Sequence, residues 1–359
     1  LFLYYLLEAD LGNGSSPMLD LVKELLADTS DEVTAATLPL LEGSEDLPFD
    51  NDGERPESLR IRKGGGEFTC SVVNGLRRGF DQLALHEKER GSKLYSLRRI
   101  ATFACFSVYT HLINRSFDYE TSKAGRISRT PMLLDFSVRD GGPVGIASHA
   151  TYNLGKNSIE RLLVHGIGKA IESELGTRWT EAKVLEFIQN EAIFKRDEKK
   201  KRKLYANFFK SYYSDRGKVF EAFVLATVDA IQEDLTARPR EFARSIGIRM
   251  GYLAPRANRA EKKRYAPSPD LLEVLASSVL AADEVVTIEE LSRRWWKEYG
   301  IVTGALPEDI TTLNAWEVHQ ASKADLVQNV ESLCGALCQI GYARRYADGI
   351  AKVRLPSRK

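Results

Sequence analysis

The sequence lacks nearly every signature by which an enzyme can be recognised. Its five histidines, His86, His111, His149, His165 and His319, form no HxxxH or HxH pair, so a metal centre would be without its commonest paired ligands. There is no GxSxG elbow, no Walker loop and no kinase signature, and Gly141, Gly142 and Gly145 do not have phosphate-loop spacing. Cysteine is scarce. Cys334 and Cys338 share one face of an apolar helical stretch and read as small buried hydrophobes, while Cys70 and Cys105 stand alone. With no disulfide framework, the expected compartment is a reducing cytoplasm. Long apolar runs are missing too. "LFLYYLLEADL" is too short to span a bilayer and lacks a secretory leader, so it reads as part of a core helix whose beginning has been trimmed. Neither a cofactor nor a membrane partner is expected.

What is present is ordinary in bulk and uneven in detail. The 359 residues are 43% apolar and 28% charged, within the usual range for a globular protein and enough for two or three cores. A formal net charge of +1 hides strong segregation. From Glu24 to Glu57 eleven acidic residues face one basic residue, whereas Arg238–Tyr265 holds nine basic against two acidic. Gly341–Lys359 holds six basic against one acidic, and "KRDEKKKRK" from Lys195 to Lys203 has seven against two. Local charge therefore says more about partners than the total does.

Hydrophobic spacing predicts a mainly α fold in three parts. Residues 1–177 read as a helical domain with a flexible acidic loop at 42–66, a long apolar helix at "SKLYSLRRIATFACFSVYTHLINRS" and one short strand, "PMLLDFSV". Arg98, Arg99 and His111 argue against a membrane span in that helix. "RDGGPVGIASHATYN" reads as a Gly-rich loop leading into the next helix, with Ser148 and His149 in a turn. Residues 178–267 read as helices, with Thr180 as an N-cap and Pro239 in a first turn, followed by a basic hairpin. In residues 268–359 the order is helix, strand "EVVT", helix capped by Thr287 with Glu290 three residues on, longer helix, and a hairpin turning on Asp348-Gly349.

Residues 269–356 resemble the winged-helix family in this order and spacing, and residues 178–267 resemble it more loosely. The resemblance implies a recognition helix at Ala324–Ile340 and a wing at Tyr342–Leu355. That helix is poor in Lys and Arg and carries Asp325 and Glu331, so double-stranded DNA would be held by backbone contacts from the hairpins. The contacts expected are Arg244, Arg249, Arg256, Arg259, Lys262, Lys263 and Arg264 around the first hairpin. Arg344, Arg345, Lys352 and Arg354 are expected on the second, with Arg293 and Arg294 on the preceding helix. The Lys195–Lys203 run is a secondary candidate. Alternation places Tyr342, Arg344 and Tyr346 on one strand face, either for base stacking or with the tyrosines packed inward.

The leading functional reading is a non-catalytic DNA-binding subunit working with other protein subunits. The helical front, "RTPMLLDFSVRDGG" and the tail together are also vaguely similar to accessory subunits of bacterial anti-phage defence systems. Two alternatives stay open. One is a scaffold whose winged helices bind protein. The other is a metal-dependent nuclease using Asp135 with "EAK" at 181–183, although that tripeptide falls in a helical stretch.

Overall fold

The computed structural model describes residues 2–8, 15–27, 72–88, 92–118, 129–137, 141–192, 194, 197–235, 238–257, 261–346 and 351–356. Among them are thirteen α-helices and seven short strands, a mainly α fold. The acidic segment read at 42–66 lies outside the described residues.

The first half is built by α1 (Phe2–Glu8), α2 (Pro17–Ala27), α3 (Val73–Glu87) and α4 (Lys93–Asn114). Ser92 starts α4 by accepting a bond from the Tyr95 amide, which satisfies one of the four amides a helix start leaves open. Phe103, Phe106, Tyr109 and Ile113 follow at helical spacing and are buried, making α4 the axis of the main core. That core is shared with the other end of the chain. Edge-to-face contacts at 5–6 Å join Phe103 and Phe106 to Tyr299, and Phe106 to Tyr252, a geometry that adds to simple area burial. Helix α3 lies so close to the distant Glu298 that a Cβ at Gly75 would fall inside that residue's backbone.

His111, near the end of α4, stacks on Phe2 with ring centroids 3.9 Å apart. Burial, and then the charge of Arg115, lowers its pKa from 6.5 to about 3. As the pH drops through that window the unfolded chain takes up a proton that the folded state excludes, so stability is lost on acidification. In His111→Phe the part of the stability profile between pH 6.5 and 3 is expected to flatten. Urea unfolding midpoints at pH 7 and pH 4.5 check this, and an unchanged difference between them would count against it.

Strand β1 (Met132–Leu133) forms where the sequence predicts it, but its partner is remote: it pairs in parallel with β5 (Ile301–Val302). Helix α5 (Pro143–Leu175) begins at Pro143 and not after a glycine loop. Gly142 takes the N-cap and Pro143 the first turn, where a missing amide costs nothing. Ser148 and His149 are therefore helical. The first half of α5 packs on the main core up to Ile159, and the next buried residue is Ile171. From there α5 joins α6 (Glu181–Asn190), α7 (Glu198–Arg216) and α8 (Val219–Asp234) around a separate core of Val184, Ile188, Tyr205, Phe209 and Phe223. The Thr180 cap is present, accepting from the Lys183 amide.

Helix α9 (Pro239–Arg249) returns the chain to the main core and leads into β2 (Leu253–Ala254) and β3 (Arg264–Tyr265), an antiparallel pair. The last third runs α10 (Pro269–Ser277), β4 (Val285–Thr287), α11 (Ile288–Tyr299), β5, α12 (Asp309–Ala315), α13 (Lys323–Gln339), β6 (Ala343–Arg345) and β7 (Ala351–Arg354). Strands β4, β7 and β6 form a three-stranded antiparallel sheet in that order. Thr287 caps α11 as its sequence suggests, accepting from the Glu290 amide. Trp295 is buried and donates its indole N–H to the Leu275 carbonyl at 2.9 Å, while Trp296 is half-buried against a third core.

Candidate nucleic-acid interface

The hairpin at Met250–Ala266 exists, but it does not stand clear of the body. Tyr252 and Tyr265 are fully buried, and the Tyr265 hydroxyl lies 3.1 Å from that of Tyr109. The backbone of Tyr265 bridges β1: its carbonyl accepts from the Asp135 amide at 2.7 Å, and its amide donates to the Ser148 hydroxyl at 2.9 Å. Lys263, expected at a phosphate, is 1% exposed, and its ammonium donates to the carbonyls of Ala257 and Pro255. Burial, and then Arg244, lowers its pKa. Arg264 ion-pairs with Asp135 at 2.6 Å. Both cations are thus engaged within the fold, Lys263 by carbonyls of its own hairpin and Arg264 by Asp135. Arg244 is half-buried, and Arg249, Arg256 and Lys262 are exposed. Arg259 lies outside the described residues.

Asp135 is no better placed for metal chemistry. Its side chain is 1% exposed and is held by Arg264 and by the Ser137 amide and hydroxyl. Glu181 and Lys183 sit in the first turn of α6, on the separate helical unit. Among the described residues no three His, Cys, Asp or Glu side chains gather where they could hold a metal.

The second hairpin is different. On the inner face of its sheet Val286, Val353 and Ala343 stand in one row and are buried. Period-two alternation sends the next residues outward, so Thr287, Lys352 and Arg344 form an adjacent row, with Arg354 beside Val285 further along. Arg344 and Lys352 are thus directly opposed across the ladder and exposed. The Lys352 ammonium lies 5.3 Å from the ring centroid of Tyr346, which is 50% exposed. Among the described residues no carboxylate forms an ion pair with Arg344, Lys352 or Arg354. Like charges facing each other across strands oppose folding, and among the described residues no carboxylate neutralises this pair, the Tyr346 ring beside Lys352 being its favourable neighbour.

The other expected contacts near this sheet are engaged. Arg345 bonds to the Glu331 carboxylate and carbonyl on α13 at 3.0 Å each. Arg294 is held by Glu284 at 2.5 Å and Glu290 at 3.0 Å, which lowers the pKa of both carboxylates, and Arg293 pairs with Glu290 at 2.6 Å. Tyr342 is buried and donates to Glu273 at 2.9 Å, so of the two hairpin tyrosines only Tyr346 faces outward.

Helix α13 presents Lys323, Val327, Gln328 and Glu331 to solvent, a nearly neutral face. The sequence reading overlooked Thr287 as a neighbour of Lys352. The alternation in "EVVT" already places Val285 and Thr287 on the face opposite Val286. No family model matches the chain, and neither the curated proteins nor the solved structures include a significant match to it. Among the described residues no helix is long and apolar enough to cross a membrane.

Proposed function

We propose that the chain is a non-catalytic DNA-binding subunit that meets phosphates through the outer face of the β4–β7–β6 sheet. On this reading residues 269–356 are a winged-helix module, with α10, α11 and α13 as its helices and β6–β7 as its wing. The strand order β4-β7-β6, with the last strand central, supports this. One observation carries the functional part: Arg344 and Lys352 are placed opposite each other on an exposed face, without carboxylate partners among the described residues and beside Tyr346. A phosphate backbone neutralises such a pair and releases counterions on binding. Tyr346 adds a face on which a base or sugar can stack.

The test is fluorescence anisotropy of a labelled duplex titrated at several salt concentrations from 50 to 200 mM. Arg344→Ala/Lys352→Ala is expected to weaken binding and reduce the slope of log K against log salt by about 1.8, at roughly 0.9 per phosphate contact. Unchanged affinity and slope in this variant would remove the sheet from the reading. Lys263→Ala should act on stability and leave the slope alone.

A second reading, a protein scaffold, is favoured by Val285 and Val327, which are 51% and 54% exposed, and by the near-neutral front of α13. It predicts no duplex binding at low salt, with retention of a partner subunit through purification that Val327→Asp abolishes.

A further inference from the structure

The separate helical unit carries a second cationic surface, on α7. Its buried side is set by Tyr205 and Phe209. On the other side Lys199, Lys203, Asn207, Lys210 and Ser214 recur at steps of four, four, three and four and are all exposed, with Lys200 beside the first. The sequence from Lys199 to Ser214 contains no carboxylate.

The cations of this helix divide into two groups. Those turned toward the body are satisfied: Lys201 pairs with Asp234, and Arg202 pairs with Glu198 at 2.7 Å and donates to the Ala192 carbonyl at 3.1 Å. Lys199, Lys200, Lys203 and Lys210 have no ion pair among the described residues. Their placement is unfavourable in two ways. Positive charge in a first turn opposes the helix dipole, and Lys199 and Lys203 repel each other as an i,i+4 pair. Asp197 at the N-cap and Glu198 in the first turn offset the dipole cost, but no carboxylate lies along the helix from Lys199 to Ser214, so the stripe sets up an outward positive field along about 16 Å of helix.

We infer that this stripe is a second contact for the phosphate backbone of duplex DNA, carried on a different core from the sheet contact; the inference rests on the DNA-binding reading above. The side chains decide the class of partner. Lysine is a flexible point charge without arginine's bidentate fork, which suits a uniform phosphate row better than a shaped constellation of carboxylates. Asn207 and Ser214 continue the stripe and Leu204 is the one exposed large apolar residue of α7, too little for the apolar face that lies in a bilayer. Two such contacts on one molecule raise affinity through effective concentration when a duplex is long enough to reach both.

The test uses the full chain and a 40-base-pair duplex, with anisotropy read across 50–200 mM salt for three proteins: wild type, Lys199→Ala/Lys203→Ala/Lys210→Ala, and Arg344→Ala/Lys352→Ala. Alanine favours an exposed helix, so the α7 variant should fold, which circular dichroism checks. Its salt slope is expected to fall by about 2.7. If slope and affinity are unchanged in the α7 variant the inference is overturned, whatever the sheet variant does. A drop in the α7 variant with none in the sheet variant keeps the stripe and removes the sheet. A wild type that binds polyglutamate but no duplex overturns both.

Discussion

Arg99→Met is expected to lower the free energy of unfolding by about 3–5 kcal/mol, the usual cost of breaking a buried ion pair from one side. Arg99 is buried on α4 between two carboxylates, Glu87 at 2.7 Å and Glu273 at 2.5 Å, and also donates to the Ser277 hydroxyl at 2.8 Å. Methionine fills similar volume but takes from Glu87, on a side chain with no exposure, the guanidinium at 2.7 Å, while the Ser96 hydroxyl bond remains. A buried carboxylate that loses its cation is costly to keep out of water. Urea unfolding at pH 7 reads this, and Glu87→Gln added to Arg99→Met should restore part of the loss. A loss below 1 kcal/mol would show that the network contributes little. Because Glu273 also accepts from Tyr342, at the entry to β6, the variant should loosen the hairpin as well.

The second large effect is expected at Asn329, buried on the inner face of α13. Its amide nitrogen donates to the Leu134 carbonyl at 2.8 Å and the Thr303 carbonyl at 2.9 Å, and its oxygen accepts from the Phe136 amide at 2.8 Å. One side chain thus ties α13 to the chain beside both β1 and β5. In Asn329→Leu two buried carbonyls and the half-buried Phe136 amide lose their partner, the buried groups at about 1–3 kcal/mol each, so a total loss of roughly 3 kcal/mol or more is expected. Gln328→Leu, one position along on the exposed side, should stay within about 0.5 kcal/mol. Thermal unfolding of the two variants side by side separates them, and equal midpoints would refute the assignment.

Much of the local structure was legible in the sequence because short-range chemistry decides it. Thr180 and Thr287 cap helices, Pro239 opens one, and "EVVT" alternates as a strand, all within a few residues of their partners. The basic segments were harder to read. "AEKKRY" and "YARRY" look alike, yet Lys263 is buried against the carbonyls of Pro255 and Ala257 while Arg344 faces out. What separates them is a distant contact: Tyr265 is fastened to Asp135 and Ser148, more than a hundred positions away, and no local pattern carries that information. The same holds for Arg99, which reads as a reason not to call α4 a membrane span but serves as the counter-ion of two carboxylates. Domain edges read at 177 and 267 follow shifts in composition, whereas core membership follows partners from both ends of the chain.

That sharing has a consequence for synthesis. The aromatic face of α4 emerges from the ribosome well before Tyr299, against which Phe103 and Phe106 close and which follows almost two hundred residues later. Until then Phe80 can cover one side of Phe103, but the side closed by Tyr299 stays open, a hazard of aggregation. Slow, late closure of distant contacts is the expected rhythm of its folding.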